Sequence, residues 1–133
     1  LLGKSNIAKK NKNIKMASHN ETGKLGEQIA REWAIGNGYH IRALNWRYGN
    51  WEIDMIAVKD KKLHFFEVKT RRSTVFGHPE TLVGKIKMKN FISAGTAYIR
   101  RYPSYKWIQF NIISITLDAM NKPTFFLIED VYC

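Results

Sequence analysis

The chain has 133 residues, 44% of them hydrophobic and 13% aromatic, enough for the core of one domain and incompatible with global disorder. No apolar run approaches the roughly 20 residues of a membrane helix, and the opening residues lack the apolar core of a secretory signal, so neither a span nor a signal is expected. The lone cysteine, Cys133, excludes a disulfide framework or cysteine metal cluster within one chain, and the net charge of +11 points to a polyanionic partner.

Residues 1–18 are polar and carry Lys4, Lys9, Lys10, Lys12 and Lys15. They read as a basic, disordered tail ahead of one domain over 19–133. Residues 20–36 predict a helix with Asn20 as N-cap and Asn37-Gly38 as its stop. Its apolar stripe is Leu25, Ile29 and Trp33 with Ala30 or Ala34, and Glu27 lies on the flank of that stripe. Three strands follow, at 39–47, 51–58 and 63–70, joined by short polar turns that imply an antiparallel meander. After a loop at 71–79 comes a helix over 80–102, interrupted by Gly84 and stopped at Pro103. Strands at 107–117 and 124–132 close the chain. The order is α-β-β-β-α-β-β, an α/β fold with a mixed central sheet and helices on its faces. The crossover helix makes the third and fourth strands parallel.

The chemistry concentrates in two strands. In "FFEVKTRR", residues 65–72, strand alternation puts Glu67 and Lys69 on one side. In "WEIDMIAV", residues 51–58, strict alternation would group Trp51, Ile53, Met55 and Ala57 on one face and Glu52, Asp54, Ile56 and Val58 on the other. An antiparallel meander brings the start of the second strand beside the end of the third, and hence Asp54 near Glu67 and Lys69. Two carboxylates beside a lysine suit metal-dependent phosphodiester hydrolysis. Magnesium takes one or two carboxylates plus water and phosphate, and a lysine offsets developing charge. Arg71 and Arg72 continue the strand and could grip backbone phosphates. Lys85, Lys87 and Lys89 lie on more than one helix face, as a solvated surface or as phosphate contacts. Taken alone, an acid-x-Lys pattern is weak, and an exposed ion pair is worth roughly 0–1 kcal/mol. His19, His40, His64 and His78 show no metal-ligand spacing. Trp33 and Trp107 read as core, whereas Trp51 and Phe76 adjoin the proposed site.

The segments "HNETGKLGEQIA", "NWRYGNWEIDMIA", "FFEVKTRR", "FGHPE" and "QFNIISI" resemble, in order and spacing, the YraN-like family of small bacterial proteins. The resemblance runs from about residue 19 to 131. It implies a restriction-endonuclease-like fold of the PD-(D/E)xK type, related to archaeal Holliday junction resolvases. By the same resemblance Asp54 and Glu67 are metal ligands, Lys69 the catalytic lysine, and Glu27 the first-helix glutamate that completes the site. Glu52 matches a further acid, for a second metal or a structural pair. Two departures stand out: Trp51 where the family commonly has glycine, and Asn111 where it commonly has aspartate. The expectation is a cytoplasmic DNA endonuclease using Mg2+ or Mn2+, with branched DNA as a candidate substrate and a homodimer as the source of paired cuts. The competing expectations are a non-catalytic nucleic-acid-binding module on the same fold and an adaptor without nucleic-acid affinity.

Overall fold

The computed structural model describes residues 21–72 and 88–131. Residues 21–36 form helix α1. They are followed by β1 (His40–Tyr48), β2 (Trp51–Lys59), β3 (Lys62–Arg71), helix α2 (Met88–Arg101), β4 (Trp107–Leu117) and β5 (Pro123–Ile128). Asn20, Phe76, His78, Pro79, Gly84, Lys85 and Lys87 lie outside the described residues, as does the tail expected over 1–18.

The strands form one five-stranded sheet in the order β1-β2-β3-β4-β5. The first two hairpins have turn residues suited to tight loops. Gly49 sits at φ 61 between β1 and β2, and Asp60 and Lys61, at φ 51 and 63, supply the two left-handed residues that match strand twist between β2 and β3. β3 and β4 are parallel, in register from Lys62↔Trp107 to Arg71↔Thr116, because α2 carries the chain back over the sheet. The expected element order and the mixed sheet are therefore observed.

Two cores result, one on each face. On the α1 face Ala30 and Ala34 both pack against Met55, Ala57, Phe66, Ile113 and Ile115, with Leu25, Ile29 and Trp33 alongside. On the α2 face Ile53, Ile56, Leu63 and Phe65 meet Phe91, Ala94 and Tyr98. A Cβ on Gly95 would come within 2.6 Å of the Phe110 ring, which explains a glycine inside α2. Trp107, expected in the core, is 67% exposed; it opens β4 at the sheet's end, beyond the helices. The last strand also stops earlier than 132. Asp130 takes φ 51 and its N–H leaves the ladder to donate to Asn111 Oδ1 at 3.0 Å.

That bond fixes a buried polar pair. A backbone N–H can only donate, so it sets the Asn111 amide orientation and turns Nδ2 toward His64 Nδ1, 3.0 Å away. His64 Nδ1 must then accept, leaving the ring neutral with its proton on Nε2. Burial holds the His64 pKa below its usual 6.5, against a hydrogen bond with the Lys59 backbone and the charge of Glu129; Lys62 and Lys59 lower it further. Asn111→Leu should cost about 2–4 kcal/mol in urea unfolding, because it removes the buried amide to which the Asp130 N–H and the imidazole Nδ1 are bonded. Asn111→Asp should instead raise the His64 titration midpoint followed by NMR, because a carboxylate there favours a proton on Nδ1.

Candidate active site

The β2–β3 ladder is regular from Lys59↔Lys62 to Met55↔Phe66 and ends there. At the next position Asp54 Oδ2 accepts the Val68 N–H at 2.7 Å. A side chain thus takes the place of a strand carbonyl, and the two strands part around a carboxylate. On the other flank Asn45 stands across from Asp54 in β1 with φ 49, a left-handed conformation that asparagine tolerates. The strict alternation expected for β2 fails at this point. Ile53 and Ile56 pack on the α2 face, while Met55 and Ala57 pack on the α1 face. One residue between Ile53 and Met55 absorbs the half-turn, and that residue is Asp54.

Phe66 and Val68 face α1, so Glu67 and Lys69 project to the other side of β3. Lys69 Nζ lies 3.4 Å from Glu67 Oε1, with the glutamate side chain only 20% exposed. Asp54 is pushed up from 3.8 to about 7, first by burial and second by the charge of Glu67. The Val68 N–H opposes the shift, and Glu27 and Glu52 add to it. Glu67 is raised too, by burial first, with the charge and hydrogen bond of Lys69 opposing and Glu52 adding. Burial therefore raises both carboxyls, and with both ionised the Lys69 ammonium leaves one negative charge uncompensated.

Asp54 opens on a cavity of about 200 Å³ lined also by Lys24, Glu27, Gln28, Arg31 and Asn45. Residues 24, 27, 28 and 31 recur at the spacing of one helix face, the polar face of α1. Glu27 is exposed there. It shares the cavity with Asp54 but acts on it more weakly than Glu67 does. Lys24 and Arg31, which sequence reasoning passed over, were signalled by the same spacing: a phosphate entering the cavity meets two cations. Among the described residues no three His, Cys, Asp or Glu side chains converge on one point. The available donors are two carboxylates, which are hard oxygen ligands. They suit magnesium or manganese, ions that fill their remaining positions with water and phosphate.

The sequence profile described as "Uncharacterised protein family UPF0102" matches residues 26–115, a span that includes Glu27, Asp54, Glu67 and Lys69. The chain belongs to UPF0102. It is 41% identical over 100 residues to a UPF0102 protein of Bacteroides thetaiotaomicron, covering 75% of this chain and 83% of the relative. It is 39% identical over 116 residues to one of Phocaeicola vulgatus, covering 87% and 93%. A third, from Flavobacterium johnsoniae, is 46% identical over 84 residues, 63% and 68% of the two chains. The resemblance drawn from the motifs thus holds at the level of the family.

In this UPF0102 chain Glu52 pairs with Arg47 across the β1–β2 hairpin at 3.4 Å, which favours the structural role over a second metal. Arg71 Nε donates to Thr116 Oγ1 at 3.4 Å. Arg72 donates to Thr22 Oγ1 at 2.9 Å and to Asn121 Oδ1 at 2.6 Å, tying α1 to the β4–β5 turn. Lys89 is exposed at the start of α2. No helix among the described residues is long and apolar enough to cross a membrane.

Proposed function

We propose that this chain is a magnesium- or manganese-dependent DNA endonuclease. The observation that supports the reading is the parted β2–β3 ladder, where Asp54 accepts the Val68 N–H and feels the charge of Glu67, itself paired with Lys69. Asp54 and Glu67 would hold the ion, which when bound supplies acidification of water and charge stabilisation on the phosphate. The Val68 N–H fixes Oδ2 of Asp54, so its carboxylate is oriented before substrate arrives. Lys69 is held by Glu67 and is 42% exposed; it would offset negative charge on the scissile phosphate from the solvent side. Lys24 and Arg31 would bind the strand's flanking phosphates along α1. The basic balance of the chain supports a polyanionic substrate.

The test is a cleavage panel of single-stranded, duplex, flapped and four-way DNA with magnesium or manganese. Cleavage that stops on chelation and falls about 100-fold or more in Lys69→Met supports the reading. Salt-dependent DNA binding without metal-dependent cleavage would replace it with a non-catalytic binding module. Preferential symmetric cutting of four-way DNA by a sedimenting dimer would support the branched-DNA version.

A further inference from the structure

The tip of the β1–β2 hairpin carries three aromatic rings in a row. Trp46 and Tyr48 stack with centroids 6.2 Å apart and planes within 6°. Tyr48 continues the stack onto its cross-strand partner Trp51, 5.9 Å away at 24°. The outer rings are seated in the fold: Trp46 meets the edge of Tyr98, and both tryptophans border the α2-side core. Tyr48, between them, stays 53% exposed.

Beside Tyr48 and Trp51 runs a groove of about 280 Å³ whose other wall is α2, with Ser93, Thr96 and Arg100 along it. The groove therefore offers a flat aromatic wall, hydroxyls opposite, and a guanidinium at its end. Arg100 and Arg101 both fall in the last turn of α2, where cations are favoured. Trp51 precedes Asp54 by three residues in β2, about 10 Å along an extended strand, and the groove opens on the α2 face, the side of β3 to which Glu67 and Lys69 project.

We infer that this groove is a stacking subsite for an unpaired nucleobase, so that the chain engages DNA having a single-stranded segment beside the cleavage point. A base lies on the exposed part of the Tyr48 ring beside Trp51, the Ser93 hydroxyl meets its edge, Thr96 Oγ1, which already donates to the Ile92 carbonyl, accepts from it, and Arg100 meets the adjoining phosphate. A paired base inside a duplex presents no free face and gains nothing from the wall. The substrate class deepens the nuclease reading and rests on it only for the position of the cut; base stacking itself needs neither metal nor cleavage.

The probe is a twelve-residue oligodeoxythymidine compared with a blunt duplex of equal length, by anisotropy at matched salt in chelator. Stacking on one aromatic ring is worth about 1–3 kcal/mol per base, roughly 5- to 150-fold in affinity. Tyr48→Leu keeps an apolar residue at the hairpin tip and should weaken oligodeoxythymidine binding by at least about 5-fold while leaving duplex binding within about 2-fold. Tyr48→Trp should restore it. Arg100→Gln should flatten the salt slope of single-strand binding by about 0.7. Equal losses on both probes, or no loss on the single strand, would overturn the subsite. Those results leave metal-dependent cleavage by the wild-type chain standing or falling on its own panel. Loss confined to the single strand in a chain that never cuts DNA would keep the subsite and discard the nuclease.

Discussion

Asp54→Asn should melt at a higher temperature than the wild-type chain at pH 8 in chelator, while losing metal-dependent cleavage altogether. The reason is the direction of the Asp54 shift. Its folded pKa, about 7, lies above the ordinary 3.8, so the folded state binds a proton that the unfolded chain has already released. The stability this group contributes is fully present below pH 4 and is lost as pH rises through 7. At pH 8 a charged Asp54 costs roughly 2–4 kcal/mol, counting burial and the repulsion of Glu67 together. Asparagine keeps an oxygen for the Val68 N–H, removes the charge, and can donate to Glu67. His64 runs the other way. Its pKa is lowered by burial, so its contribution is present above pH 6.5 and is lost as pH falls through the folded value. In the wild-type chain the two slopes oppose each other just below pH 6.5. In Asp54→Asn the Asp54 slope is gone and that of Glu67, raised by burial, still opposes His64, so stability should fall less with rising pH than it does in the wild-type chain. Urea unfolding at pH 5, 6, 7 and 8 reads both effects. A variant less stable than wild type at pH 8 would contradict the crowding of charge at Asp54.

Gly26→Ala should destabilise the fold even though alanine is the better helix former by about 1 kcal/mol. Gly26 is buried in α1 against β3, and a Cβ there would overlap the Thr70 side chain. Overpacking of this kind costs about 1–3 kcal/mol, and a valine more. α1 must lift from β3, and Glu27, Lys24 and Arg31 lift with it, so cleavage should fall along with stability. Thr70→Ala removes the hydroxyl and methyl from the contact and should recover part of the loss, a coupling of about 1 kcal/mol in a double-mutant cycle. Independent, additive effects of the two substitutions would mean that helix and strand do not meet there.

Alternation, turn residues and the crossover helix were enough to read the order of elements, the meander and the parallel β3–β4 pair. They were also enough to bring Asp54 within reach of the charge of Glu67, since that follows from an antiparallel hairpin and a count of residues. What escaped was set by tertiary contacts. The slip at Asp54 depends on a side-chain bond to the Val68 N–H and on the left-handed Asn45 across from it. Neither leaves a periodic trace. Trp107 opens an apolar strand and so read as core, but strand ends project past the helices that cover the middle. Asn111 in "QFNIISI" interrupts an apolar run, and its purpose appears only when β3 and the segment after β5 supply His64 and Asp130 as partners. Gly26 passed without remark because its need for space comes from Thr70, 44 residues away in the chain. The polar face of α1 was legible and overlooked, since Lys24, Glu27, Gln28 and Arg31 keep helical spacing as faithfully as the apolar stripe does.

The most direct test is a calorimetric titration of manganese into the wild-type chain, Asp54→Asn and Glu67→Gln at pH 7.5, with circular dichroism to establish that all three are folded. One saturable site in the wild-type chain, lost in both variants, is the expected result. Manganese binding of unchanged affinity in the two variants would contradict a metal-dependent site at the parted β2–β3 ladder.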